Sequence, residues 1–179
     1  VYTICMAGYG PKAPVLVCIG EAPAATEDTF CSNCWKPMAK SCVQQGHIIG
    51  VPMVGPAGQI LRRALKEAGF DPEEVYLSNV TRCGSRAVNP NMREVRKCVS
   101  AYLWEELASL DYSRCKAIFL LGETAICGVL DNGLLNVKHT RLRDLEKFLP
   151  SLAGDFSSVP IRSTFHPAAC LPGRSPELY

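Results

Sequence analysis

The stretch that decides the fold is Pro14-Val-Leu-Val-Cys-Ile19, followed at once by Gly20-Glu-Ala-Pro23. The first part is a short apolar run, which is typical of a strand buried on both faces of a parallel sheet. The second part is a polar loop that leaves the carboxyl end of that strand. Because α/β proteins place their sites at the carboxyl ends of parallel strands, we expect the functional site here. Two acidic residues of this loop, Glu21 and Glu27, are candidates to act on a water molecule or on a developing positive charge.

The rest of the chain alternates strand-like and helix-like patterns. Apolar runs bounded by turn residues predict strands at 14–19, 75–80, 115–121 and 159–165. Helical spacing of apolar residues predicts helices at 59–68, 92–110 and 124–130, with a further short one at 143–149. Strands separated by helices predict an α/β fold of three layers, α/β/α, around a central four-stranded and mainly parallel sheet. We expect residues 1–179 to form a single domain.

Composition excludes some classes of protein and leaves others open. The chain is 47% hydrophobic and 20% charged, as in ordinary soluble domains. No apolar run approaches the length of a membrane span and no secretion signal is apparent, so we expect a cytoplasmic, reducing environment and no membrane partner. In that environment the ten cysteines favour metal or cluster binding over disulfides.

The charge distribution says more than the net charge of +2. Five basic residues crowd one stretch around two cysteines, Cys83 and Cys98; they are Arg82, Arg86, Arg93, Arg96 and Lys97. Such a patch can neutralise phosphates. It can also be an ordinary solvated helix face.

Residues 29–49 form a cysteine-rich insert with neither helical nor strand periodicity. It contains Cys31-Ser-Asn-Cys34, then Cys42 and His47. A loop of this length inside a compact domain is usually functional or held by something. Three cysteines and a histidine within one segment are a possible tetrahedral zinc site.

Three motifs in one order carry a resemblance to a known family. The first is Gly-Glu-Ala-Pro at 20–23 with Glu-Asp at 27–28, completed by Pro-Met-Val-Gly-Pro-Ala-Gly at 52–58. The second is Asn-Val-Thr-Arg-Cys at 79–83, and the third is Thr-Phe-His-Pro-Ala at 164–168. Together they resemble the motifs of the iron–sulfur (family 4) uracil-DNA glycosylases, within the uracil-DNA glycosylase superfamily, and they cover most of the chain.

The resemblance implies an enzyme of base excision repair that flips uracil out of single- or double-stranded DNA and hydrolyses its N-glycosidic bond. It implies a monomer that acts as a hydrolase. The implied catalytic residues are Glu21, Glu27 and His166, with Glu21 ranked before Glu27. The implied base-binding residues are Gly20, Ala22, Met53 and Asn79, and the implied DNA-binding residues are Arg82, Arg86, Gly55 and Gly58. The chemistry suits these types, because a carboxamide can pair with O4 and N3–H of uracil and an imidazole can donate to the leaving base.

Two residues depart from the family pattern. Met53 stands where the family has a phenylalanine that stacks on the flipped base, and Ala24 stands where glycine is usual. A thioether offers a polarisable surface without a ring face. Phe30 or Trp35 of the insert are candidates to supply the missing ring.

The family also holds a [4Fe–4S] cluster on four cysteines. Cys83 and Cys98 match the two that follow the second motif. The other pair precedes the first strand in the family, and this chain has only Cys5 there. We therefore expect a relocated ligand set of Cys31, Cys34, Cys83 and Cys98. The alternative is zinc within the insert through Cys31, Cys34, Cys42 and His47.

Two other functions stay open at this point. One is a weak or inactive DNA-binding module of the same fold, part of a larger replication protein. The other is a glycosylase for a different base, because the substitution at Met53 changes the expected wall of the base pocket.

Overall fold

The computed structural model describes residues 5–31, 34, 36–45, 50–84, 90–130, 140, 145 and 158–173. Its centre is a parallel sheet of four strands with the order β2-β1-β3-β4. The strands are β1 (Leu16–Gly20), β2 (Val75–Asn79), β3 (Ala117–Leu121) and β4 (Ile161–Thr164). The predicted sheet is confirmed, and every described pairing in it is parallel.

The described α-helices are α1 (Lys40–Gln44), α2 (Pro56–Glu67), α3 (Met92–Cys98), α4 (Trp104–Ala108) and α5 (Glu123–Val129). The helix predicted at 59–68 begins earlier, at Pro56, because proline suits the first helical turn, where its missing N–H is not needed. The helix predicted at 92–110 is α3 and α4 joined by a π-helical turn, Val99–Leu103. Of the helix predicted at 143–149, only residue 145 lies within the described residues.

The residues of β1 alternate between two apolar clusters, one on each face of the sheet. Val17 and Ile19 belong to the cluster that includes Leu103, Leu107 and Ile126 of the α3–α4 helix and α5. The opposite face of β1 packs against α2, in a cluster that contains Leu16, Cys18, Leu61 and Leu65. Successive side chains of a strand point to opposite faces, so helices cover both faces and the predicted three-layer α/β/α architecture is confirmed.

The cysteine-rich insert leaves the carboxyl edge of the sheet between β1 and α2. It starts after a 3-10 turn, Glu27–Thr29, and contains an antiparallel bridge between Phe30 and Pro37 followed by α1. Its two ends meet where the N–H of Gly50 donates to the carbonyl of Phe30 at 2.9 Å. The insert is therefore a loop whose two ends are hydrogen-bonded to each other, next to the loop of the first motif.

Within the described part of the chain, no helix is both long enough and apolar enough to cross a bilayer.

Candidate active site

A cavity of about 250 Å³ lies at the carboxyl edge of the sheet. Its wall includes residues from all three sequence motifs: Ala22 and Met53 from the first, Asn79 from the second and His166 from the third. Gly55 and Gly58, at the start of α2, also line it. The strand topology brings these segments together, because β1, β2 and β4 all end at this edge. A cavity thus lies at the edge of the sheet where the sequence predicts a site.

Glu27 ties the two halves of the first motif together across the insert. It is 5% exposed, and its Oε2 accepts a hydrogen bond from the N–H of Ala24 at 3.0 Å. Its Oε1 accepts one from the N–H of Met53 at 2.5 Å. A buried carboxylate is stable when backbone donors satisfy it. In this arrangement both carboxylate oxygens of Glu27 fix the backbone of the cavity wall.

Met53 has a strained backbone that its neighbours enforce. Its φ is 60°, in the left-handed region that is unfavourable for a side chain of this size. Its carbonyl is packed so closely on Gly58 that a methyl group built on Gly58 would lie 1.8 Å from the oxygen. The bond to Glu27 fixes the other side of the residue. Strained residues persist where the surrounding structure determines their conformation, and they cluster at functional sites.

Asn79 ends β2 directly beside the last residue of β1. It pairs in register with Gly20, and a methyl group built on Gly20 would lie 2.6 Å from the Oδ1 of Asn79 and 2.7 Å from the Cε of Met53. Gly20 therefore leaves the space that the carboxamide and the thioether occupy. Gly20 therefore has a steric role beside the cavity. The sequence analysis predicts that it contacts the base.

His166 has a defined tautomer. It precedes the 3-10 turn Pro167–Cys170, and its Nδ1 accepts a hydrogen bond from the N–H of Ala168 at 3.2 Å. A ring nitrogen that accepts carries no proton, so the proton of the neutral ring resides on Nε2. Burial lowers the pKa of His166, and the nearby carboxylate of Glu21 partly opposes this effect. The ring is therefore neutral at pH 7, with Nε2 as a donor.

Glu21 is held beside His166 and is not part of the described cavity wall. Its Oε2 accepts a hydrogen bond from the hydroxyl of Thr124 at 2.6 Å. Its carbonyl oxygen accepts from the N–H of Thr81 at 3.1 Å and from the Thr81 hydroxyl at 3.2 Å. Glu21 thus links the ends of β1, β2 and β3. The sequence analysis did not identify Thr124. The polar segment Glu123-Thr124 directly follows β3, so the rule that sites lie at the carboxyl ends of parallel strands could have identified it.

The predicted DNA-contacting residues have different surroundings. Arg82 forms an ion pair with Glu106 at 2.6 Å and lies over the ring of Tyr102, 5.7 Å from its centroid. The Glu106 side chain is only 7% accessible, so a nearby cation offsets the loss of its hydration. Arg82 is therefore engaged inside the protein. Arg86 lies outside the described residues, whereas Arg93 and Lys97 are exposed.

Three cysteines of the insert come together. The sulfur atoms of Cys31, Cys34 and Cys42 all lie within 4.8 Å of one another. Cys34 and Cys42 have their sulfurs 3.8 Å apart, and the N–H of Cys34 donates to the sulfur of Cys31 at 3.4 Å. Hydrogen bonding with Cys31, and then with Cys42, raises the pKa of Cys34 to about 11. This group of thiols is compatible with metal binding.

The expected cluster set of Cys31, Cys34, Cys83 and Cys98 stays a prediction, because the cysteines of a [4Fe–4S] cluster bind separate iron atoms and their sulfurs need not lie close together. Among the described residues the close group of cysteines is Cys31, Cys34 and Cys42. Burial raises the pKa of Cys98, the N–H of Arg82 opposes this effect by donating to the Cys98 sulfur at 3.1 Å, and the nearby Cys83 and Cys5 raise the pKa further. The path of the insert brings the sulfur of Cys42 next to those of Cys31 and Cys34.

Three other residues of the insert were predicted to have roles at the site. Phe30 is not among the residues that line the cavity, and Trp35 lies outside the described residues, as does His47. Leu171, in the segment after the third motif, does line the cavity.

Comparison with known proteins agrees with this geometry. The family model described as the uracil DNA glycosylase superfamily matches residues 7–177. A type-4 uracil-DNA glycosylase of Pyrobaculum aerophilum is 30% identical over 176 residues, which covers 96% of this chain and 74% of that protein. The type-4 enzymes of Archaeoglobus fulgidus and Thermotoga maritima are 28% and 27% identical, over 92% and 96% of this chain and 70% and 73% of theirs. The chain belongs to the uracil-DNA glycosylase superfamily and, within it, to the type-4 family, so the predicted family is confirmed.

Proposed function

We propose that this protein excises uracil from DNA by hydrolysing the N-glycosidic bond. The observation that carries the proposal is the cavity in which Asn79, Met53 and His166 meet, in a chain whose relatives are named type-4 uracil-DNA glycosylases. These names favour an enzyme over a DNA-binding module without activity, and uracil over another base. The substrate would be DNA, single- or double-stranded, with the protein acting as a cytoplasmic monomer.

The size of the cavity supports recognition of one flipped base. Its volume of about 250 Å³ is below the range of about 300–1,000 Å³ that is usual for drug-sized ligands. Removing a base from the stack costs a few kcal/mol, which the pocket must offset. Met53 would offer its thioether to one face of the base, in place of the ring that the family uses.

Asn79 is the residue proposed to read the base. Its carboxamide NH₂ would donate to O4 of uracil, while its Oδ1 would accept from N3–H. Cytosine presents a donor and an acceptor in the reverse order at these two positions, so both contacts would become repulsive. The neighbouring Gly20 supports this role, because its missing side chain leaves the amide room at the cavity.

His166 is proposed to stabilise the departing base. Negative charge develops on uracil as the glycosidic bond breaks, and a fixed donor near O2 gains strength as it does so. The Ala168 N–H occupies Nδ1, and burial favours the neutral ring. Both observations support Nε2–H as that donor, with no proton rearrangement needed before reaction.

Glu21 and Glu27 are proposed to have separate tasks. A carboxylate near the sugar stabilises the positive charge that an oxocarbenium-like transition state carries. Glu21 suits this task, because Thr124 fixes the direction of its carboxylate beside His166. Glu27 suits support of the wall, because both its oxygens accept from backbone N–H groups. Which carboxylate orients the attacking water is tested by comparing Glu21→Gln and Glu27→Gln.

The proposed path of the DNA follows the start of α2 and the exposed face of α3. Gly55 and Gly58 allow the backbone of the first turn of α2 to approach a phosphate or a base. The exposed side chains of Arg93 and Lys97 can neutralise phosphates, which should make binding depend on salt. Arg82 would contribute through its ion pair with Glu106, which holds the segment next to Cys83.

The family implies a [4Fe–4S] cluster, and the fit of the present cysteines is partial. Cys83 and Cys98 are neighbours and have a third cysteine, Cys5, near them, but the pair Cys31 and Cys34 that was expected to complete the set groups with Cys42. The cluster therefore stays a prediction, and no step of the reaction is assigned to it. Iron and acid-labile sulfide analysis of purified protein tests it.

Base selectivity tests the proposed pocket. We expect Asn79→Asp to lose excision of uracil relative to the wild type by roughly 5- to 150-fold, since a two-point contact to a base edge is worth about 1–3 kcal/mol. The assay compares single-turnover excision from oligonucleotides that carry uracil or cytosine at one position. Asn79→Ala, which removes both contacts, is the matched control. Undiminished discrimination of uracil from cytosine by Asn79→Asp would remove Asn79 from its role.

A further inference from the structure

The buried side chains in the described part of the cysteine-rich insert are those of cysteines. Cys31 is 0% exposed and Cys42 is 6% exposed, and they are the buried apolar residues among those between 30 and 45 whose side chains the structure describes, a set that leaves out residues 32, 33, 35 and 43. Backbone contacts hold the described part of the insert, with the N–H of Cys31 donating to Lys36 O at 2.9 Å and the N–H of Met38 donating to Thr29 O at 2.7 Å. A segment with so little apolar burial gains most from a metal that links its parts.

The sulfur distances fit a single tetrahedral ion. In a tetrahedral zinc site with Zn–S bonds of about 2.3 Å, neighbouring sulfurs are about 3.8 Å apart. Cys34 and Cys42 have their sulfurs 3.8 Å apart, and all three sulfurs fall within 4.8 Å of one another. The N–H of Cys34 also points at the sulfur of Cys31. A hydrogen bond of this kind stabilises a thiolate that is bound to a metal.

A disulfide and an iron–sulfur cluster both fit these sulfur positions less well. A disulfide needs an S–S bond of about 2.05 Å and would use only two of the three sulfurs. A [4Fe–4S] cluster gives each cysteine its own iron atom, so its ligand sulfurs stand farther apart than those around one ion. Three mutually close sulfurs therefore favour one ion bound by all three.

We propose that Cys31, Cys34 and Cys42 bind one zinc ion, which is separate from any cluster at Cys83 and Cys98. On binding, each thiol releases its proton to solvent and its sulfur forms one bond to zinc, with no change in oxidation state. The structure assigns three of the four ligands.

The site has a consequence for the cavity. The insert begins two residues after Glu27 and ends directly before Gly50, which is two residues from Pro52 and three from Met53. The carbonyl of Phe30 joins both ends by accepting from the N–H of Gly50, and the N–H of Phe30 donates in turn to the carbonyl of Glu27. Zinc in the insert would therefore hold the segment that carries the base-facing wall.

Metal analysis of the reduced, purified protein is the test. We expect about one zinc ion per chain, retained in the matched control Cys83→Ser/Cys98→Ser and lost in Cys34→Ser/Cys42→Ser. On the unmodified protein, thiol alkylation read by mass spectrometry should spare Cys31, Cys34 and Cys42 until a chelator is added. Replacement of zinc by cobalt(II) should give thiolate-to-metal charge-transfer absorption. These two measurements do not depend on whether the double variant folds.

Three results would each overturn the proposal. The first is zinc absent from the protein together with no cobalt absorption by the reduced chain. The second is a disulfide between Cys34 and Cys42 under reducing conditions. The third is a wild-type protein that contains iron and sulfide in place of zinc, with both lost in the Cys34→Ser/Cys42→Ser variant.

Discussion

Replacing Gly58 with alanine should disable the base pocket while leaving the fold in place. A methyl group built at this position lies 1.8 Å from the carbonyl oxygen of Met53 and 2.1 Å from its carbonyl carbon. Real Cβ atoms essentially never come closer than 3.0 Å to such a neighbour. The methyl group and the Met53 oxygen must therefore move apart from 1.8 Å to at least 3.0 Å.

That displacement acts on a backbone with little freedom. Met53 already has a φ of 60°, and its N–H is fixed on the buried carboxylate of Glu27. Moving the carbonyl therefore moves the thioether wall or breaks the bond to Glu27. A misplacement of about 1 Å at a catalytic site lowers the rate about 10²-fold, while overpacking lowers the free energy of unfolding by about 1–3 kcal/mol.

Single-turnover excision from a uracil-containing oligonucleotide measures the first effect and thermal unfolding measures the second. Gly69→Ala is the matched control at the other end of α2, because its methyl group meets nothing within 4 Å. With a φ of +81°, Gly69→Ala should lose about 1–2 kcal/mol of stability and retain its rate. A near-wild-type rate in folded Gly58→Ala, or an equal loss of rate in Gly69→Ala, would refute the reasoning.

Three further predictions concern the cavity wall. First, burial lowers the pKa of His166, so between that lowered pKa and about 6.5 the unfolded chain binds the proton more readily and the free energy of unfolding rises with pH. Urea unfolding of His166→Gln should lack this part of the rise. An identical pH slope in the variant and the wild type would contradict the prediction. Second, Glu27→Gln places an amide NH₂ against a backbone donor and should lower the free energy of unfolding by about 1–3 kcal/mol, whereas lost activity at unchanged stability would point instead to a catalytic carboxylate. Third, Met53→Phe should tighten binding of uracil-containing strands several-fold, because base–aromatic stacking is worth about 1–3 kcal/mol; unchanged affinity would show that this wall does not stack on the base.

Local patterns were sufficient to predict the sheet and the edge at which the cavity lies. The apolar run of β1 and the helical spacing of α2 depend on neighbouring residues only, so their periods are visible in the sequence. The rule for the carboxyl ends of parallel strands then brought Asn79 and Met53 to one edge. The structure agrees, because both residues line the same cavity as His166.

Contacts between distant segments could not be predicted in this way. The left-handed backbone of Met53 depends on a carboxylate 26 residues earlier and on the space left by Gly58. The hydrogen bond from Thr124 to Glu21 joins residues 103 positions apart. Each depends on how loops meet after the sheet has formed, which no local period encodes.

The cysteines illustrate the same limit. The Cys31–Cys34 spacing indicates a ligand pair for either a cluster or a single ion, and only the path of the insert decides which sulfur comes next to it. That path brings in Cys42. Arg82 is a similar case. It lies in a basic stretch, but its side chain forms an internal ion pair with Glu106, which is 24 residues away and has a side chain that is only 7% accessible. The local sequence does not encode this partner.

The measurement that tests the central claim most directly is excision of uracil by the purified, folded protein. Single- and double-stranded oligonucleotides with one uracil, and matched ones with cytosine, are treated with alkali after incubation to reveal abasic sites. We predict strand cleavage at uracil alone, falling by roughly 5- to 150-fold in Asn79→Ala and by at least about 10²-fold in His166→Ala. No cleavage by the folded wild type on either uracil-containing substrate, or cleavage by both variants at the wild-type rate, would contradict the account.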